Sequence, residues 1–313
     1  MKPRPRSLGL AAYRLALAAL EPLAPRLLRA RARLGKEDPE RLDERLGQPR
    51  CARPPGDIVW LHGVSVGESV SLLPLVEALI ERRPDLNLLV TSGTRTAAEL
   101  LSRRLPAGVI HQYAPVDGPR AVAGFLDHWR PATAILVESE LWPNLIMAAA
   151  ERDVRLALVS ARMTEKSALS WGRAPGAARA LLQAFDLVLP QDAETATRLE
   201  RLGASLGPQL NLKQVGAPLP CDAVELDLLR QATEGRPVIL AASTHPGEEI
   251  VIAEAVQGVM AGQPGALLIV APRHPERGAE VARILGQAGF NTARRSAGHR
   301  PTPLVGAYVA DTL

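Results

Sequence analysis

The sequence predicts an α/β protein of two doubly wound parallel-sheet domains, the second of them incomplete, with a helical segment at its N-terminus. Three observations predict this. From residue 57 onward, short and continuously apolar β-rich runs alternate with helical stretches, as strands covered on both faces do. The alternation breaks at Gly216-Ala217-Pro218-Leu219-Pro220 and then restarts. A length of 313 residues suits two domains at about 150 residues each. At 47% apolar and 22% charged, the composition excludes a polytopic membrane protein, a collagen-like fibre and a wholly disordered chain.

The elements follow in order. Residues 1–36 carry nine Lys and Arg against one acid, Glu21, a balance of +8 that leaves −4 for the remaining 277 residues. Leu8 to Leu20 is apolar apart from Arg14, and Pro22, Pro25 and a string of arginines come next. The run is shorter than the roughly 20 residues that span a bilayer, and no Ala-x-Ala cleavage site follows it. It reads as an interfacial helix with arginines on anionic lipid, or as an amphipathic helix docked on its own domain. The first domain, residues 37–215, has strand candidates at Ile58–His62, Leu88–Ser92, Val109–Tyr113, Ala134–Val137, Leu156–Ser160 and Leu187–Leu189. Helices are expected over Ser69–Arg83, Ala97–Leu105, Ala121–Trp129, Leu145–Arg152 and Ala193–Leu202, with Pro74 in the first turn of its helix or kinking it. Residues 216–222 read as a linker. In the second domain, residues 223–313, strands are expected at Val238–Ala242, Leu267–Ala271, Asn291–Arg294 and Ala307–Ala310, with helices reaching Met260 and Gln287. Four strands without a closing helix look like a doubly wound sheet cut short.

Partners are constrained by composition. Aromatics make up 3%, and the positive charge is concentrated at the N-terminus, which argues against a nucleic-acid partner. Cys51 and Cys221 lie far apart and match no zinc or redox spacing, which favours a reducing compartment.

Chemistry is expected where strands end and helices open. In Trp60-Leu61-His62-Gly63-Val64-Ser65-Val66-Gly67-Glu68, the G-x-S-x-G pattern offers Ser65 as a hydrolase nucleophile, although no triad partners stand out. Glu68 can instead accept a proton from an incoming hydroxyl, or simply stabilise the start of its helix. Glu138 and Glu140, after another strand, point to opposite sides of an extended chain, so one of them faces the site. Ser243 and Thr244 open a helix and suit a phosphate, or serve as an N-cap with Glu248 and Glu249 in the first turn. Pro272-Arg273-His274 end the next strand, where the arginine suits a phosphate or a nucleotide edge. His245 and His274 lack a third metal ligand, so no metal is expected.

Taken in order, H-x-x-S-V-G-E (His62 to Glu68), E-x-E-L-W-P-N (Glu138 to Asn144), N-L-K (Asn211 to Lys213), S-T-H-x-G-E-E (Ser243 to Glu249) and P-R-H-P-E-R (Pro272 to Arg277) resemble the 3-deoxy-D-manno-octulosonic acid (Kdo) transferases, over about residues 8–313. The resemblance implies a GT-B glycosyltransferase, two Rossmann-like domains with the active site in the cleft between them. It would move Kdo from CMP-Kdo to a lipid A precursor at the cytoplasmic face of the inner membrane, without metal or cofactor. It implies that Glu68 is the base, that Glu138 and Lys213 stabilise the transition state, and that Pro272 and Arg273 contact CMP. Ser65, Gly67, Ser243, Thr244 and His274 join the expected substrate-binding set. Two departures stand out. Gln209-Leu210 precede N-L-K where the family has Gly, so the loop carrying Lys213 is expected to differ. The family's G-G-H-N-x-L-E stretch, which follows the counterpart of Asp311-Thr312, is not among these residues. The chain is therefore expected to be C-terminally truncated, to bind CMP poorly and to transfer slowly or not at all. A non-catalytic membrane-peripheral remnant is the corresponding non-enzyme reading.

Overall fold

The computed structural model describes residues 7–139, 141–215, 221–263 and 265–312. Glu140 and the Gly216–Pro220 part of the expected linker lie outside the described residues, as do residues 1–6 and Leu313. The chain divides into two units, Met1–Ala217 and Pro218–Leu313.

The first unit begins with three helices, α1 (Leu8–Leu20), α2 (Ala24–Arg33) and α3 (Leu42–Arg45). A parallel βα alternation follows: β1 (Ile58–His62), α4 (Val66–Arg82), β2 (Asn87–Ser92), α5 (Arg95–Arg104), β3 (Ile110–Tyr113), α6 (Pro119–Trp129), β4 (Thr133–Val137), α7 (Pro143–Glu151) and β5 (Arg155–Ala161). Then come α8 (Glu165–Gly172), α9 (Pro175–Leu182), β6 (Leu187–Pro190) and α10 (Ala193–Arg201). The six strands lie in the order β3-β2-β1-β4-β5-β6, all parallel. This is the doubly wound order in which the chain reverses direction between the first and fourth strands.

Each strand is short and apolar because both of its faces are buried. Every residue of β1 is buried, and side chains alternate across the sheet. Ile58 and Trp60 enter one core with Phe125, Leu126 and Leu181. Val59 and Leu61 enter the other with Leu72, Val76 and Leu101. Helix α4 starts three residues before the expected Ser69, which places Pro74 in its interior rather than in its first turn.

The N-terminal helices are attached through carboxylates. Glu21, the single acid of the basic segment, accepts from the amides of Arg120 (3.0 Å) and Ala121 (2.7 Å) at the start of α6. The Tyr13 hydroxyl donates to Asp117 at 2.9 Å, and Asp117 accepts from the amides of Asn144 and Leu145 at the start of α7. Residues around α3 cover the open edge of the sheet at β3: Glu44 accepts from the Tyr113 amide at 2.7 Å, and Arg45 donates to the Ala114 carbonyl. Among the described residues no helix is long and apolar enough to cross a membrane.

The second unit contains α11 (Ala223–Thr233), β7 (Val238–Thr244), α12 (Glu248–Gly262), β8 (Leu267–Pro272), α13 (Gly278–Gln287), β9 (Thr292–Arg294) and β10 (Ala307–Val309). Its four described strands are parallel in the order β7-β8-β10-β9. Ala253 and Val256 of α12 and Val281 and Leu285 of α13 cover one face, and Leu229 of α11 packs against the other.

Candidate active site

In the first unit the reversal of strand order falls between β1 and β4, so the crevice where such sheets bind ligands lies between their carboxyl ends. His62, the last residue of β1, pairs in register with Leu136, and Glu138 lies two residues further on. The segment Gly63–Glu68 leaves β1 at this edge. A Cβ on Gly63 would come within 3.1 Å of the Glu68 backbone, so glycine permits the close turn. Gly67 is exposed and a Cβ there meets nothing within 4 Å, which leaves open space above the helix start.

Ser65 and Glu68 form a reciprocal capping box at the start of α4. The Ser65 hydroxyl accepts from the Glu68 amide at 3.4 Å. Glu68 Oε2 accepts from the amides of Val64 (2.5 Å) and Ser65 (3.2 Å). The other oxygen, Oε1, has no partner among the described residues, and the residue is half-buried. One carboxylate oxygen of Glu68 thus caps the helix, and the other is left without a partner among the described residues. Ser65 has φ −94° and ψ 169°, ordinary extended backbone, whereas a nucleophile elbow holds its serine in a strained turn.

Glu138 is the strained residue of this edge. Its φ is +61°, in the left-handed region that disfavours a side chain, and Ser160 at the end of neighbouring β5 has φ +54°. Strained backbone at adjacent strand ends marks places where surrounding structure forces an unusual geometry, often for function. The Glu138 side chain is 6% exposed, and Lys213 Nζ lies 2.6 Å from its Oε1, an ion pair whose angle departs from that of a hydrogen bond. The N-L-K motif explains how the lysine arrives. Asn211 caps a short 3-10 turn by accepting from the Lys213 amide at 3.1 Å. Leu212 is buried in the apolar cluster beneath the sheet, and its amide donates to Ser160 Oγ at 3.4 Å. Lys213, half-exposed, is left to reach Glu138. Gln209-Leu210 do not prevent this, because the Leu210 amide bonds to the Pro190 carbonyl and holds the approach along β6.

Below this edge lies a buried polar web. Trp60 Nε1 donates to Thr91 Oγ1, which also lies 2.8 Å from His62 Nδ1. Burial, helped by the Arg45 charge, holds the His62 pKa down at about 4, so the ring is neutral near pH 7.

In the second unit, β7 and β8 end side by side, with Thr244 opposite Pro272 across a register shift. Ser243 is exposed with φ +60°. Thr244 is buried and its hydroxyl donates to Glu249 at 2.9 Å. Glu249 is fully buried and forked to Arg277 at 2.8 and 3.3 Å. Burial pushes the Glu249 carboxyl up, and the hydrogen bonds from Arg277 and Thr244 outweigh it, so its pKa lies below the ordinary value. Thr244 and Glu249 thus brace the loop from within. Pro272 is buried, and His274 lies 3.6 Å from Glu276. Arg273 is exposed and its guanidinium has no partner among the described residues, while its amide is fixed on the Thr244 carbonyl at 3.0 Å. The N-cap of α12 is Gly247 rather than Ser243 or Thr244, and Glu248 in its first turn accepts from the His245 amide at 2.8 Å, so the exposed Ser243 hydroxyl and the Arg273 guanidinium are the groups that suit an anion here. Among the described residues no three His, Cys, Asp or Glu side chains gather as metal ligands.

Sequence reasoning passed over Asp117, Tyr13 and Ser160. The partners of the first two lie about a hundred residues away or across the sheet, and Ser160 shows itself only through its backbone angle.

The profile of the family described as 3-deoxy-D-manno-octulosonic-acid transferase (kdotransferase) matches residues 40–214. A protein of Arabidopsis thaliana, named a probable mitochondrial 3-deoxy-D-manno-octulosonic acid transferase, is 36% identical over 98% of this chain and 71% of its own length. The 3-deoxy-D-manno-octulosonic acid transferase of Rickettsia bellii is 36% identical over 78% of this chain, and the chain spans 58% of that protein. A glycosyltransferase crystal structure from Rickettsia africae aligns over 75% of this chain and 66% of its own at a TM-score of 0.50 and 10% identity, a likeness of fold alone.

Proposed function

The chain belongs to the 3-deoxy-D-manno-octulosonic acid (Kdo) transferase family, and from that premise we propose that it moves Kdo from CMP-Kdo to a hydroxyl of a lipid A precursor, with Glu68 as the base. The observation that carries this reading is the pair of acids flanking the switch point of the first sheet, Glu68 after β1 and Glu138 after β4. The acceptor hydroxyl gives its proton to Glu68 Oε1 while its oxygen bonds to the anomeric carbon of Kdo. The bond from that carbon to the CMP phosphate breaks, and the electron pair leaves with the phosphate. The amides of Val64 and Ser65 hold the carboxylate by its other oxygen, so the base is oriented before the substrate arrives.

Positive charge builds on the sugar ring as the bond to phosphate breaks, and the Glu138 carboxylate offsets it. Lys213, 2.6 Å from that carboxylate, holds it in place and is a cation available to the negative charge of the departing phosphate. CMP is assigned to the edge of the second unit that carries Ser243 and Arg273. The reading calls on no metal or cofactor.

The N-terminal helices fit a lipid acceptor. Leu8, Leu15, Leu20, Leu23 and Leu27 are all more than half exposed. Arg26, Arg29 and Arg33 of α2 are exposed without partners among the described residues. An apolar face flanked by cations binds the interface of an anionic membrane, which supports a place at the cytoplasmic face of the inner membrane.

The test is incubation of the protein with CMP-Kdo and a lipid A precursor in anionic vesicles, with and without chelator, followed by mass spectrometry of the lipid. The expected result is slow addition of Kdo to the lipid with CMP released in equal amount, chelator making no difference. Release of CMP without a Kdo-bearing lipid, or no reaction at all, contradicts the proposal.

A further inference from the structure

A cavity of about 480 Å³ lies in the first unit between α1, the loop that follows Glu138, and the α8–α9 corner. Its walls are Leu10 and Tyr13 of α1, Leu141 and Trp142 of the loop, and Trp171 at the end of α8. Small residues at Gly9, Ala174 and Ala177 keep it open. Among the described residues no charged side chain lines it, and the Tyr13 hydroxyl is already bound to Asp117, so tyrosine presents its ring. A polar guest would leave its hydrogen bonds to water unreplaced there. The volume lies within the range of pockets that enclose small ligands.

We propose that this cavity is a subsite for one acyl chain of the lipid acceptor, an inference that rests on the transfer reading above. Four features select a lipid chain over other apolar guests. One wall is α1, whose outer side exposes Leu8 and Leu15, so the cavity lies behind a surface already suited to a bilayer. Ser139 also lines the cavity and directly follows Glu138, so a chain seated there brings the polar end of its molecule toward the acid. The arginines of α2 complement an anionic headgroup. Trp142, 40% exposed, is the amphipathic aromatic expected where an apolar pocket meets the membrane interface.

The tryptophans supply a readout that needs no turnover. Of the four in the sequence, Trp60 and Trp129 are fully buried in the sheet core, while Trp142 and Trp171 line the cavity. A lysophosphatidic acid with a brominated acyl chain, kept below its micelle concentration, should quench the cavity pair, and glycerol phosphate should not. Affinity should rise about fourfold per added methylene until the cavity is full and then level off. The double variant Gly9→Leu, Ala174→Phe fills the space. It is expected to fold normally, because Ala174 is exposed and a Cβ on Gly9 makes only ordinary contacts at 3.4 and 3.6 Å. It should weaken quenching at least tenfold and raise KM for the acylated acceptor while leaving kcat unchanged. Equal quenching in the filled variant, or none in the parent protein, overturns the proposal. Expected quenching in a protein that forms no Kdo-lipid would keep the acyl site and discard the transfer reading, while transfer without quenching would do the reverse.

Discussion

Replacing Glu138 by glycine should leave stability nearly unchanged and replacing Lys213 by methionine should lower it, while both should lose Kdo transfer. For Glu138→Gly, relief of the +61° backbone returns about 1–2 kcal/mol. The greater freedom of glycine in the unfolded chain takes back about 0.5–1 kcal/mol. Loss of the pair with Lys213, which is 49% exposed and partly screened, costs about 1 kcal/mol. These terms nearly cancel, so stability should stay within about 1 kcal/mol of the parent. Lys213→Met is different, because it leaves the buried Glu138 carboxylate without its cation. Breaking a fully buried pair costs about 3–5 kcal/mol, and water access on the lysine side reduces this to about 2 kcal/mol. Adding Glu138→Gly to Lys213→Met should therefore restore stability. The assay is urea denaturation followed by tryptophan emission, which reports the first unit because Trp60, Trp129, Trp142 and Trp171 all belong to it. Kdo transfer, measured in parallel, should fall at least a hundredfold in both single variants. A glycine variant that loses more than about 3 kcal/mol, or one that keeps its transfer rate, would refute the reasoning.

Other outcomes follow from the same structure. As pH falls, His62 and His111, whose pKa values burial lowers from 6.5 to about 4, withdraw stability between those values. Asp117 opposes them, because burial raises its carboxyl from 3.8 to about 6 against the pull of its amide and Tyr13 hydrogen bonds, and it adds stability as pH drops through about 6. The net loss from pH 6.5 to 4 should be on the order of 3 kcal/mol, and Asp117→Asn should steepen it; a flat profile in that variant contradicts the assignment. Arg277→Met strands the buried Glu249 and should destabilise the second unit, read as faster hydrogen exchange in β7 and α12 with the first unit unaffected. Ser65→Ala should lose about 0.5–2 kcal/mol of helix capping yet keep most of the transfer rate, and labelling of Ser65 by a fluorophosphonate would reverse that expectation.

Much of the fold could be read in the sequence where burial on both faces leaves a simple signature. Ile58–His62 is a strand to the residue, because five consecutive core positions admit only apolar side chains and one hydrogen-bonded histidine. Helix starts were harder. α4 begins at Val66 because the Ser65–Glu68 capping box nucleates it ahead of the apolar periodicity. α8 and α9 escape notice because each is eight residues long, and Pro175, which opens α9, reads as a break rather than a start. The site shows the same division. S-x-x-E and N-L-K carry their local geometry in the sequence, whereas the burial of Glu249 against Arg277 and the hold of Tyr13 on Asp117 depend on contacts the chain makes only when folded.

The most direct measurement is the single-turnover rate of Kdo transfer in Glu68→Gln. Glutamine keeps an oxygen for the amides of Val64 and Ser65, so the helix start should persist and the melting curve should match the parent's. It cannot take up the acceptor's proton, and the rate should drop by about a hundred- to ten-thousand-fold. A glutamine variant that transfers Kdo at the parent rate would show that Glu68 only caps its helix, and the base would have to be another group.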